Sequence, residues 1–224
     1  MRGRVFGNSL LILGTLAAMP IEARVLDVHS EIRVAKSGEL TVTERITVES
    51  REKTPRLERP LPRDSRVAEV IRNGHPEKYV LEGERLRLGP AAVPEGRHLY
   101  QITYRATRRI AFLGDHDALH WSLKGGERMT AEVVLPSSVP ARQIKVEASG
   151  GEYQSLVRDG RAAFRSQDGI ALVVRFPKGV VDEPGIGQRA NWFFSDYFGA
   201  LLVLVILALT AWTLLQLKKL SARA

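Results

Sequence analysis

The chain has 224 residues, a formal net charge of +8, 26% charged residues and no cysteine. Disulfides, thiol catalysis, Cys-type zinc sites and a lipid-modified N-terminal Cys are therefore excluded. The charge divides into +1 over residues 1–23, +4 over 24–217 and +3 over 218–224. The central signs are interspersed, and no Lys/Arg block carries interleaved aromatics, so nucleic-acid binding has no support.

The N-terminus, "MRGRVFGNSLLILGTLAAMPIEARV", opens with Arg2 and Arg4 and continues into an apolar run from Val5 to Met19. That is the form of a secretory signal peptide over residues 1–23, cleaved after Ala23 or after Ala18. An uncleaved anchor is the other reading, but the run is short for a span of about 20 residues.

From Arg24 the pattern changes to period two. Leu26, Val28, Ser30, Ile32 and Val34 form one row. After a turn at Ser37-Gly38, Leu40, Val42, Glu44, Ile46 and Val48 form another. This predicts a hairpin with one wet face. "RHLYQITYRAT" alternates likewise with Tyr100, Ile102, Tyr104 and Ala106, as do "TAEVVLP" and "RQIKVEA". "RDGR" at 158–161 predicts a hairpin through a type I′ turn, and Asp168-Gly169 leads into "IALVVRF". No segment of residues 24–180 has a convincing helical period. The expectation is all-β: a single antiparallel β-sandwich of about ten to twelve strands over 24–180. The Gly/Pro-rich segment 89–96 could divide it into two subdomains, but each would be small for a core without staples.

"DHDALHWSLKGG", residues 115–126, carries the candidate chemistry. Asp115, His116, Asp117 and His120 would make a metal or general-base cluster if the stretch were helical. Leu119, Trp121 and Leu123 alternate with His120 and Ser122, which predicts a strand with the indole packed inward. Four residues of strand separate the two histidines by about 13 Å, too far for one ion unless the chain bends at 116–118. His29, His75 and His98 are scattered and offer no third ligand. No catalytic, cofactor or metal residues are therefore assigned. "GIGQRA", residues 185–190, has the letters of a dinucleotide fingerprint, but it follows Pro184 and leads into an aromatic belt, which predicts a linker over 181–196.

Tyr197–Leu217 is free of charge and matches a transmembrane helix. Trp192, Phe193, Phe194 and Tyr197 flank its start and Trp212 its end. Lys218, Lys219 and Arg223 place a tail, 218–224, in the cytoplasm, and hence 24–180 outside it. Gly199, Ala200, Ala208 and Ala211 make no GxxxG pair. The lack of a disulfide or an N-x-S/T sequon fits a bacterial inner-membrane protein.

Four segments resemble the bacterial predicted membrane proteins of the YciQ-like family, whose exported part is domain of unknown function 2207. They are "VHSEIRVAKSGELTVTERITV", "RLERPLPRD" (56–64), "YQITYRATRRIAFLGDHDALHWSLKGG" and "VVRFPKGVV" (173–181). The likeness covers roughly residues 24–217 and implies an all-β ectodomain tethered by a helix. It brings no catalytic residues. The chain departs from the family pattern at Ser122 and Met129, and the two histidines are not part of that pattern. Ending at Ala224, it reads as truncated after the first transmembrane helix. The expected role is a binding or assembly module for another envelope or membrane protein, without a cofactor. The alternatives are an envelope hydrolase or metal enzyme using Asp115, His116, Asp117 and His120, and a carbohydrate- or wall-binding domain.

Overall fold

The computed structural model describes residues 23–51, 57–89 and 93–221, so the signal peptide expected over 1–23 lies almost wholly outside the described residues. In chain order the strands are β1 (Arg24–Val34), β2 (Leu40–Ser50), β3 (Leu57–Pro60), β4 (Arg66–Arg72), β5 (His75–Pro76), β6 (Tyr79–Glu82), β7 (Arg85–Leu88) and β8 (Gly96–Ala106). There follow β9 (Ile110–Phe112), β10 (His116–Leu123), β11 (Arg128–Val134), β12 (Lys145–Ser149), β13 (Tyr153–Arg158), β14 (Arg161–Ser166) and β15 (Ile170–Pro177). A long helix, α1 (Ile186–Ser221), ends the described chain. The strands outnumber the expected ten to twelve because β3, β5, β6, β7 and β9 have only two to four residues each, too few to show a period.

The two rows read in the first hairpin face inward, except at Leu26, which sits at a bulge between Val25 and Asp27 and is only half-buried. Val28, Ser30, Ile32 and Val34 are buried on β1, and Leu40, Val42, Glu44, Ile46 and Val48 on β2. Their register pairs Ser30 with Glu44 and Ile32 with Val42. An eight-stranded sheet grows around this pair in the order β13-β14-β11-β1-β2-β8-β4-β5. A four-stranded sheet, β12-β15-β10-β9, and a three-stranded sheet, β3-β7-β6, complete the β-domain. Leu86 and Leu88 of β7, Leu119 and Trp121 of β10, and Leu172 and Val174 of β15 join the residues of β1, β2 and β8 in one core cluster. Each fully buried aliphatic side chain in it contributes about 1.5–3 kcal/mol.

All pairings are antiparallel among the described residues except β1 with β11, which runs parallel from Asp27–Arg128 to Arg33–Val134. Alternation reports which face a residue occupies, not which strand lies beside it, so this neighbour was not legible in the sequence. The hairpin at Asp159-Gly160 forms where expected, between β13 and β14. Only Gly160 takes a positive φ, +68°, so the turn is not type I′. Asp159 instead turns its carboxylate to the backbone N–H of Ala141 at 2.8 Å. The type I′ signature lies at Asn73-Gly74, φ +51° and +84°, between β4 and β5.

The expected linker, 181–196, is helical from Ile186 onward. Pro184 and Gly185 directly precede the helix, the Gly185 carbonyl accepting the backbone N–H of Arg189 at 3.0 Å, and the aromatic residues that follow continue it. Over 36 residues α1 is about 54 Å long, more than a hydrocarbon core of about 30 Å. The segment Ile186–Thr213 is long and apolar enough to cross a membrane, and no residue of its most apolar window is buried in the β-domain. Thr210 and Thr213 donate their hydroxyls to the carbonyls of Ile206 and Thr210, both at 2.8 Å, so neither needs a partner outside the helix.

Candidate functional site

Residues 116–123 form the strand β10, paired on both sides by β15 and β9, and not a helix turn; Asp115 lies in the bend before it. His116 begins β10, and its Nδ1 lies 2.6 Å from Asp115 Oδ1. That hydrogen bond is the main cause that holds the Asp115 carboxyl below its ordinary pKa. His120 is exposed on the same strand face, four residues on. Asp117 lies on the opposite face, in one row with Leu119, Trp121 and Leu123, and is completely buried. Lys178 Nζ neutralises it at 2.9 Å, although neither Asp117 oxygen gains a well-aligned hydrogen bond. Lys178 also pairs with Glu183 at 2.6 Å, and Arg189 with Glu183 at 3.0 Å. The hydrogen bond to Glu183, then the Asp117 carboxylate close by, raises the Lys178 pKa. The four residues weighed for chemistry therefore separate into an Asp115–His116 pair, a buried ion pair at Asp117 and a free-standing His120. Among the described residues no group of three or more His, Asp or Glu side chains is disposed to hold a metal ion.

A second cluster was not singled out from the sequence. Glu44 is 3% exposed in the middle of β2's inward row. Arg59, 9% exposed on β3, donates Nε to Glu44 Oε2 at 2.6 Å and Nη1 to the Lys124 carbonyl at 2.7 Å. Tyr104, on β8, donates its hydroxyl to Glu44 Oε1 at 2.9 Å. Burial first, and the neighbouring Glu44 charge second, push the Tyr104 hydroxyl well above its ordinary pKa. Burial works to lower the Arg59 pKa, but the charge and hydrogen bond of Glu44 outweigh it and leave it raised. The triad is thus a tyrosine hydroxyl beside a buried ion pair, and removing either charge of the pair would leave the other alone at a cost of several kcal/mol.

The triad borders a cavity of about 350 Å³, whose wall also includes Pro60, Arg109, His120 and Trp121. Gly125 lies beside the Arg59 guanidinium. Its φ is +84°, and a Cβ there would stand 3.3 Å from Arg59 Nη1. The signal available in the sequence was Glu44 itself, a carboxylate in an otherwise inward apolar row, together with an arginine followed by two prolines in "LERPLP". Three of the segments quoted above meet at this place: Glu44 comes from the first, Arg59 from the second, and Tyr104 and Trp121 from the third.

A family model described as "Predicted membrane protein (DUF2207) N-terminal domain" matches residues 24–169. The chain belongs to this family. The match takes in the whole cluster and every strand through β14, while α1 lies beyond it. No curated protein matches the chain in sequence. Among solved structures it is similar to an M1 zinc metallopeptidase from Deinococcus radiodurans, at 18% identity and TM-score 0.45, over 68% of this chain and 42% of that one. A mutant of an M1 zinc metallopeptidase from Deinococcus radiodurans bound to a Tyr-Ser-Ala substrate has 16% identity and TM-score 0.46, over 80% and 54%. Native yeast LTA4 hydrolase has 16% identity and TM-score 0.47, over 69% and 29%. The chain thus spans about a third to a half of the length of these proteins, and no functional residue is carried over from them.

Proposed function

We propose that this family member is a single-pass protein of the bacterial inner membrane whose β-sandwich, residues 24–180, lies outside the cytoplasm. It would serve there as a binding or assembly module for another membrane or periplasmic protein. The observation that carries this reading is the junction of β-domain and helix. Arg108, in the turn after β8, donates Nη1 to both carboxylate oxygens of Asp196 at 2.7 and 2.9 Å, and its guanidinium lies 5.0 Å from the Trp192 ring centre. These contacts hold the β-domain at the head of a helix whose apolar surface is left for lipid or another helix. Lys218, Lys219 and Arg223 after the apolar run support the orientation.

Orientation and partner are tested separately. The protein has no cysteine, so Gln154→Cys and Ala224→Cys each supply one thiol. In intact spheroplasts a membrane-impermeant maleimide should label the first and not the second, and the reverse pattern overturns the orientation. Photo-crosslinking groups on the exposed face of the β-domain, activated in native membranes, should yield one discrete heterologous adduct. Recovery of monomer alone at every position would remove the support for a binding module.

A further inference from the structure

The head of α1 and the β-domain border a groove of about 420 Å³ at the junction held by Arg108. Its walls include Arg66, Arg105 and Thr107 from the β-domain and Asn191, Trp192 and Ser195 from the helix. Arg66 and Arg105 are register partners on β4 and β8. The next pair along, Val67 and Tyr104, packs on the core, so the two arginines share the outer face, and both are exposed. Directly opposed residues hold their Cβ atoms about 4.5–5.5 Å apart, and like charges placed so destabilise a sheet. Little in the chain relieves them. Arg105 reaches Glu39 only at 3.5 Å, and Arg66 has no ion pair among the described residues. The carboxylates of Asp196, at 2.7 Å, and Asp64, at 3.5 Å, are taken by Arg108. An anion between Arg66 and Arg105 would complete both, and the oxygens of a phosphate suit two forked donors.

The helix gives the depth at which that anion lies. The uncharged run begins at Tyr197, which marks the edge of the hydrocarbon. Ser195 and Trp192 stand two and five residues before it, about 3 and 7.5 Å along the axis. The headgroup layer on each side of a bilayer is about 5–7.5 Å thick. The groove therefore opens at the level of lipid phosphates. Below Ser195 the same stripe of the helix continues with Phe198 and Leu202, both exposed. Glu39 and Asp64 in the wall oppose a multiply charged ion, which favours the single charge of a phosphodiester over inorganic phosphate.

We infer that this groove seats the phosphate of one membrane phospholipid. Its oxygens accept from the guanidiniums of Arg66 and Arg105, and its acyl chains run down α1 beside Phe198 and Leu202. The site requires α1 to span the membrane, as proposed above. It requires neither the orientation nor the protein partner.

The test uses the full chain in detergent micelles, with bound lipid counted by native mass spectrometry. Dioleoyl phosphatidylglycerol is titrated beside dioleoylglycerol, which keeps the tails without the phosphate, and glycerophosphoglycerol, which keeps the phosphodiester without the tails. A saturable adduct of one phospholipid per chain, about tenfold tighter than either fragment, is the expected result. Arg66→Gln and Arg105→Gln should each weaken it about tenfold, the equivalent of one lost charged hydrogen bond. Arg158→Gln, on β13 at the far edge of the same sheet, should leave it unchanged. No saturation, equal binding of either fragment, unchanged affinity in Arg66→Gln, or equal weakening in Arg158→Gln would each overturn the site. The comparison with the fragments needs no variant, so it stands even if a variant fails to fold. Carbonate washing of the native membranes separates this site from the membrane reading. A chain that stays in the membrane and takes no lipid overturns the site alone, and a chain released by carbonate overturns the membrane span with it.

Discussion

Arg108 and Asp196, 88 positions apart, form a two-pronged ion pair between the β-domain and the membrane helix. Arg108 adopts φ +58°, a conformation a non-glycine residue holds only where its surroundings impose it. Its neighbour Arg109 turns to the cavity, so one dipeptide serves both the helix junction and the polar cluster. Arg108→Ala should leave thermal unfolding of the β-domain nearly unchanged, because a part-exposed pair contributes only about 0.2–1 kcal/mol. It should also speed protease cleavage within residues 182–187, read as fragments by mass spectrometry. Unchanged cleavage would show that the pair does not hold the junction.

The Glu44–Arg59 pair predicts a non-additive mutant cycle. Glu44→Leu and Arg59→Met each strand a buried charge and should destabilise by about 3–5 kcal/mol in urea unfolding. The double variant should lose much less than the sum. Additive losses would mean that the two side chains do not depend on each other.

Tyr104 sets an alkaline limit. Its hydroxyl is raised in the folded protein by burial and by Glu44. The unfolded chain releases this proton near pH 10, the folded chain only above that. The contribution to stability is therefore complete below about pH 10 and lost as pH rises through the folded value. Burial also raises the Tyr100 hydroxyl, so phenolate absorbance should lag in the native protein relative to urea over that interval, and Tyr104→Phe should shrink the lag by one tyrosine.

Asp117 depends on Lys178 in the same way. Lys178→Met leaves a fully buried carboxylate without its cation and should cost about 3 kcal/mol or more. Asp117→Leu in that background should recover most of the loss. By contrast His120→Ala, at an exposed position, should change stability by less than about 0.5 kcal/mol, and a chelator should not shift the unfolding temperature of the wild type.

Gly125→Ala tests the turn that seats Arg59. A side chain at φ +84°, with its Cβ 3.3 Å from the guanidinium, should destabilise by about 1 kcal/mol or more. Gly74→Ala meets no neighbour within 4 Å and carries only the backbone cost of its own φ, +84°.

Much of the fold was legible because alternation and burial share one cause. Tyr100, Ile102, Tyr104 and Ala106 repeat every second residue, and every one of them is buried on β8. Trp121 followed the same rule, which decided the strand reading of 115–123. The polar cluster was written in the same rows, but alternation gives a face and not a partner. Nothing in the spacing of Glu44, Arg59 and Tyr104 announces that they touch.

The sequence by itself determined the alternation of the strands, the uncharged apolar run of the helix and the absence of thiol chemistry. Each is a property of consecutive residues or of composition, so no folded coordinates are needed to read it. Only the tertiary structure decided that β1 runs parallel to β11, that Arg59 crosses to Glu44 and that Asp117 is buried against Lys178. These are contacts between segments from 15 to about 100 residues apart, set by how sheets stack and which strands lie side by side, and no local pattern encodes them.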